Sequence, residues 1–199
     1  KTFFENQKLV NFKKIWHYHD QLNFKKNKID TEYLSNFEKK RTMLGLKLPT
    51  DPRWVNIVEK NIDEILTDHA YCEQKAASTA ISLIVSFPEY TELVEEMIAL
   101  SREEMGHFKM VHDLILKRGN ALGRDRKDEY VIELIKFFPK GGSRTTQLVH
   151  RLLYAALIEA RSCERFRLLS EELEDKKLAE FYHKLMISEA GHYTMFLKF

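Results

Sequence analysis

Two copies of a Glu-x-x-His pattern, Glu104-Met-Gly-His107 and Glu189-Ala-Gly-His192, are the residues in this chain best suited to chemistry. On an α-helix, residues three apart lie about 60° from one another around the axis, so a carboxylate and an imidazole at that spacing can grip one cation from the same face. The repeat extends past the ligands, since Glu104-Met-Gly-His-Phe108 aligns with Glu189-Ala-Gly-His-Tyr193. Each copy reads as half of a metal site.

Two further carboxylates complete the pattern. At about 100° per residue, Glu104 is centred on the stripe Leu93, Met97, Leu100, Phe108, Val111, Ile115, and Glu189 on Leu178, Tyr182, Leu185, Tyr193, Phe196. Glu73 sits in the same way among Ile62, Leu66, Ala77, Ala80 and Ile84, and Glu159 among Leu148, Leu152, Ala155, Cys163 and Phe166. Glu73 and Glu104 lie fifteen residues before and sixteen after Pro88, and Glu159 and Glu189 each lie fifteen from Glu174. At 1.5 Å per residue, partners across each turn stand at the same height, about 22–24 Å from it. Four unpaired buried carboxylates would cost more than a typical domain's whole stability of about 5–15 kcal/mol. Two divalent cations balance the four negative charges while the histidines stay neutral. Carboxylate-rich ligation with one His per metal suits iron or manganese, whereas zinc favours more N and S donors. The predicted ligands are Glu73, Glu104, His107, Glu159, Glu189 and His192, and two iron ions are the expected occupants of such a set in a helical bundle.

Four long helices must position these groups. Asp51-Pro52 signals a helix start, and the pattern runs to about Phe87, where Pro88 stops it. A second helix is predicted from about Glu89 to Lys117, ended by Gly119. Residues 119–143 form a long connection with a short amphipathic helix near 128–138. The third helix is predicted from about Ser143 to Ser170 and the fourth from about Leu173 to the end. Short turn, long crossover, short turn is the order of an all-α, ferritin-like four-helix bundle with its one long crossover between helices two and three. Residues 1–42, rich in Lys, Asn and Phe with poor helical periodicity, read as an N-terminal extension to a domain over 43–199. His17 and His19 within it are expected to be surface or packing residues.

Composition narrows the class. With 199 residues, 44% hydrophobic and 31% charged, the chain can bury a single-domain core, and 7 Gly and 4 Pro favour long helices. A net charge of +2 neither demands nor excludes nucleic acid. Cys72 and Cys163 have no Cys-x-x-Cys spacing, which fits a reducing cytoplasm and buried thiols acting as small apolar fillers. No run of 18 apolar residues and no apolar leader occurs, so neither a membrane span nor a secretory signal is expected.

The segments Asp68-His-Ala-Tyr-Cys-Glu-Gln-Lys-Ala-Ala77, Glu103-Glu-Met-Gly-His-Phe108, Leu157-Ile-Glu-Ala-Arg-Ser-Cys-Glu-Arg-Phe166 and Ser188-Glu-Ala-Gly-His192 resemble the MiaE-type tRNA hydroxylases over roughly residues 46–199. The resemblance implies a non-haem diiron monooxygenase that uses O2 and an external electron donor. Its substrate would be the isopentenyl side chain of (2-methylthio-)N6-isopentenyladenosine beside the tRNA anticodon. The family's ligands fall on the same six residues. A tRNA substrate calls for basic contacts to phosphate; the candidates are Lys140, Arg144 and Arg151 at the start of helix three, with Arg124, Arg126 and Lys127 on the crossover. Arg161, Glu164 and Arg165 point away from the ligand face and could pack helices, support the site or touch RNA. His69, on the same face one turn from Glu73, reads either as a donor supporting the site or as a satisfied core histidine, the second being the commoner case. His112, His150 and His183 read as structural or surface residues, and Tyr154, Tyr182 and Tyr193 as pocket or core aromatics. The competing class is a ferritin-like or rubrerythrin-like protein that oxidises iron or handles peroxide. The absence of a Cys-x-x-Cys module speaks against a rubrerythrin, and six intact ligands speak against a helical interaction protein with a vestigial site.

Overall fold

A computed structural model describes residues 43–46 and 49–199. The expected extension over 1–42, with His17 and His19, lies outside the described residues. Within them every regular element is helical: α1 Trp54–Lys60, α2 Ile62–Ser86, α3 Thr91–Lys117, α4 Glu129–Leu134 continued by a 3-10 turn Ile135–Phe137, α5 Arg144–Glu172 and α6 Lys176–Lys198. The four long helices and the crossover are those the periodicity predicts.

The first long helix differs in one respect, being broken into α1 and α2 at Asn61. The Asn61 side chain donates to the Ile57 carbonyl at 2.7 Å and its φ of −135° leaves the helical region. A short polar side chain that bonds its own backbone competes in this way with helix continuation. Downstream boundaries follow local chemistry. Ser143 accepts from the Thr146 amide at the start of α5, Asp175 accepts from the Lys177 and Leu178 amides at the start of α6, and Gly119 takes φ +80° just past α3.

Helices α2 and α3 form one antiparallel hairpin and α5 and α6 the other. Arg118 at the end of α3 pairs with Asp63 at the start of α2 at 2.6 Å, and Arg144 at the start of α5 bonds the Ser86 carbonyl and Glu89 at the far end of α2. The connection therefore travels the length of the bundle. It is strapped to α2 by Tyr71 to the Gly123 carbonyl at 2.9 Å, Lys75 to Asp125 at 2.6 Å and Arg126 to Glu64 at 2.8 Å. On α5, Phe138 packs against His150 and Tyr154. The α2/α5 side of the bundle is thus covered.

Apolar packing fills both ends of the bundle around a polar middle layer. One cluster joins Ala80, Leu83, Phe87, Leu93, Met97, Leu100, Leu148, Leu152 and Phe196. Towards the other end Leu66, Val111, Ile115, Leu169, Tyr182 and Leu185 are all buried. No helix among the described residues is long and apolar enough to cross a membrane.

Candidate metal centre

All six predicted ligands are buried, Glu104 completely and the others at 3–7% exposure. They fall into two overlapping groups, Glu73, Glu104, His107, Glu189 and Glu104, Glu159, Glu189, His192, each able to present ligand atoms that lie within 4.8 Å of one another. Glu104 and Glu189 belong to both groups. The geometry thus gives each carboxylate a place: Glu73 with His107 at one end, Glu159 with His192 at the other, and the two Glu-x-x-His carboxylates between. Each shared carboxylate comes from a different hairpin.

Both imidazoles present Nδ1 to the interior. His107 Nδ1 is 3.4 Å from Glu104 and 3.6 Å from Glu73, while His192 Nδ1 is 3.0 Å from Glu104, 3.7 Å from Glu189 and 3.8 Å from Glu159. Both oxygens of Glu104, Oε1 of Glu189 and Nδ1 of both histidines are buried without a hydrogen-bond partner. Buried polar atoms without partners are costly. Among the described residues no Lys or Arg pairs with the four carboxylates, and the neighbouring cationic groups are imidazoles. Oxygen-rich donors, one imidazole at each end and convergent orphaned atoms fit a pair of divalent iron-like cations.

Without metal the layer must be neutralised by protons. Burial opposes a charged His107, yet the Glu104 and Glu73 carboxylates raise it to about 9. His192 is raised to about 11 against burial by Glu104 and Glu159. Burial lifts Glu104 to about 7 despite the two imidazoles, and lifts Glu189 well above the carboxylate range, reinforced by Glu159, Glu73 and Glu104. Burial also works against the Glu73 carboxylate, but hydrogen bonds from His107 and His69 hold it below the usual range. Metal ions entering here must displace protons.

Of the two readings the sequence leaves for His69, core histidine and donor behind Glu73, the structure shows both at once. His69 Nε2 lies 2.5 Å from Glu73 Oε1, and its ring stacks on Tyr182 at 5.5 Å and tilts against Phe166 at 4.8 Å. The i, i+4 spacing on one helix face is the signal that points to it. A second residue, Glu103, is not singled out by the sequence pattern at all. About 100° around α3 from its neighbour Glu104, it sets Oε2 3.4 Å from His192 Nε2 and Oε1 3.8 Å from His107 Nε2, and accepts a hydrogen bond from Ser188 Oγ.

Other expectations resolve individually. Cys163 is buried, with Sγ 3.3 Å from the Met186 carbonyl, but Cys72 is exposed rather than a buried filler. Glu164 is buried and accepts from the Thr50 amide at 2.8 Å, the Thr50 hydroxyl at 2.5 Å and Arg161 at 3.0 Å, so the Arg161–Glu164 pair holds the entry segment on α5. Arg165 lies over Trp54 and Arg161 over Tyr130. Tyr182 is core. Of the six basic candidates, Arg126 pairs with Glu64, Arg144 with Glu89, and Arg151 bonds Ser82 and Ser86. Arg124, Lys127 and Lys140 are exposed and form no ion pair among the described residues.

Comparison with known proteins gives the family. A family model described as tRNA-(MS[2]IO[6]A)-hydroxylase (MiaE) matches residues 37–199. The chain belongs to the MiaE family. A Pseudomonas putida MiaE-family relative, named tRNA 2-(methylsulfanyl)-N(6)-isopentenyladenosine(37) hydroxylase, is 39% identical over 153 residues, covering 77% of this chain and 73% of the relative. A Salmonella typhimurium protein of the same name is 27% identical over 201 residues, covering 76% of this chain and 73% of that protein. Among solved structures, a Synechococcus protein described as having aldehyde deformylating oxygenase activity matches with a TM-score of 0.72 and 37% identity, covering 76% of this chain and 75% of that one. The fold is accordingly the ferritin-like bundle of MiaE proteins, and its buried Glu/His cluster is compatible with iron.

Proposed function

We propose that this MiaE-family chain is a diiron tRNA hydroxylase acting on the isopentenyl side chain of (2-methylthio-)N6-isopentenyladenosine next to the anticodon. The observation that carries the reading is the pair Glu104 and Glu189, common to both four-residue groups at the centre of the bundle. In this reading Glu104 and Glu189, common to both groups, would serve both iron ions, Glu73 and His107 would help to hold one, and Glu159 and His192 the other. The printed names of the Pseudomonas and Salmonella relatives supply the substrate class.

A bound iron pair supplies reductive O2 chemistry, in which R–H, O2, two electrons and two protons become R–OH and water. An external donor must deliver the electrons. The chain's own contribution is holding and shielding. Imidazole Nδ1 atoms and carboxylate oxygens are aimed inward from four helices, so the ions meet a donor set that needs no large rearrangement. The His69 hydrogen bond fixes Glu73. Small residues near the ligands, Ala77, Ala155, Ala156 and Ala160, leave room beside them, and the apolar packing beyond keeps water from an oxidising centre.

For tRNA, exposed Arg124, Lys127 and Lys140 are the expected phosphate contacts. Phe137, 81% exposed between Lys136 and Lys140, offers a ring on which an unpaired base can stack. Acting on tRNA places the work in the cytoplasm.

The iron-handling alternative is weakened by the Synechococcus neighbour, a protein with aldehyde deformylating oxygenase activity. The test is to load the protein anaerobically with two Fe(II), add isopentenylated tRNA, a reductant and O2, and measure the modified nucleoside by mass spectrometry. A gain of one oxygen on the prenyl group supports the reading. Unchanged nucleoside with rapid iron oxidation would overturn it in favour of iron handling.

A further inference from the structure

The two Glu-x-x-His motifs are preceded by different residues, Glu103 before Glu104 and Ser188 before Glu189. The structure joins that unequal pair, with Ser188 Oγ donating to Glu103 Oε1 across the α3/α6 seam. The same carboxylate reaches both imidazoles on the side away from the ligand layer, at 3.4 Å from His192 Nε2 and 3.8 Å from His107 Nε2. His192 Nε2 is buried without a hydrogen-bond partner, and Glu103 is the carboxylate within ion-pair distance of it.

When an imidazole gives Nδ1 to a metal, its remaining proton sits on Nε2 and needs an acceptor. A carboxylate there fixes the tautomer, orients the ring and raises the basicity of the ligating nitrogen. Here one carboxylate with two oxygens faces two N–H groups, one from each hairpin. The ring centroids of His107 and His192 are 6.0 Å apart, a separation a single carboxylate can span.

We propose that Glu103 is a positioning residue shared by both histidines, one oxygen per imidazole, with Ser188 orienting it. The inference rests on the dimetal reading of the site. It makes Glu103 a clamp across the α3/α6 seam, on the side of the bundle opposite the crossover. Its half-exposed position, with 49% of the side chain accessible, means that replacement disturbs little packing.

The experiment uses Co(II) as a spectroscopic stand-in, titrated into wild type, Glu103→Ala and Glu103→Gln. Affinity is followed by chelator competition, and the imidazole N–H protons are followed as paramagnetically shifted, solvent-exchangeable NMR signals. Wild type should bind two Co(II) and show two such signals. Glu103→Ala should weaken both sites by about 10–100-fold and lose both signals to fast exchange, while its metal-free melting temperature stays that of wild type. Glu103→Gln is the sharper variant, because an amide has one acceptor oxygen. It should retain one protected signal and one tight site and lose the other. Two tight sites and two protected signals in Glu103→Ala would overturn the shared role while leaving the dimetal reading intact. A wild type that binds no metal pair would overturn both.

Discussion

His69 and Glu73, one turn apart on α2, bring Nε2 and Oε1 to 2.5 Å in a setting where both side chains are only 5% exposed. The bond orients the carboxylate within the buried Glu/His layer, and Tyr182 and Phe166 pack against the ring that makes it. His69→Leu removes the donor and should weaken the metal position served by Glu73 by about 10-fold or more. His69→Gln, which keeps an N–H within reach, should recover part of the loss. Fe(II) or Co(II) competition titrations of the two variants check this, and equal affinities would show that only packing matters at position 69.

Glu189 is buried beside three other carboxylates, so the metal-free fold must hold it protonated, and ionising it there is costly. Replacing a buried, repelled charge with a neutral residue of like size commonly stabilises by about 1–4 kcal/mol. Glu189→Gln should therefore raise the metal-free melting temperature by about 2–10 °C and abolish any further rise on adding metal. Differential scanning calorimetry with and without metal measures both effects. A lower metal-free melting temperature would contradict the electrostatic account of the layer.

Asp68 gives a pH dependence separate from the metal ligands. Burial raises it from 3.8 to about 6, with Arg126 opposing, Glu64 and Asp128 adding, and Lys75 opposing weakly. A carboxylate raised in the fold contributes stability that is fully present below its unfolded value and is lost as pH rises through the folded one. Wild type should therefore lose stability relative to Asp68→Asn between about pH 4 and pH 6, on the order of 1 kcal/mol once solvent screening is allowed for. Denaturant melts of the metal-free proteins across that range test it; parallel curves would refute it.

The basic candidates separate into two sets with opposite expectations. Alanine at Arg124, Lys127 and Lys140 together should weaken tRNA binding and flatten its salt dependence, by about 0.7–0.9 in log–log slope for each phosphate that is no longer neutralised. Arg144→Ala, which removes the bonds to Ser86 and Glu89, should lower the melting temperature and leave that slope nearly unchanged. Binding isotherms at several salt concentrations separate the two.

The bundle and the six buried Glu and His residues that converge in it are legible in the sequence for a definite reason. Helical periodicity reports which face a residue occupies, and counting from a tight turn reports its height, so Glu73, Glu104, Glu159 and Glu189 can be placed in one layer from the sequence alone. Neither measure reports how far apart two helices stand or how they are rotated against each other. The central position of Glu104 and Glu189, and the reach of Glu103 to both histidines, depend on those quantities. The Thr50–Glu164 hydrogen bond joins positions 114 apart, and nothing local announces it. The break at Asn61 rests on one side-chain hydrogen bond that the apolar pattern around it conceals.

The position on α5 equivalent to His69, four residues before Glu159, holds Ala155. The ligand set repeats across the two hairpins, but the support behind it does not. Glu73 is anchored by a histidine one turn away, whereas Glu159 has a methyl group at that place. Two ions held here would therefore meet unequal surroundings, one beside a carboxylate already fixed by a hydrogen bond and one beside a carboxylate without that support.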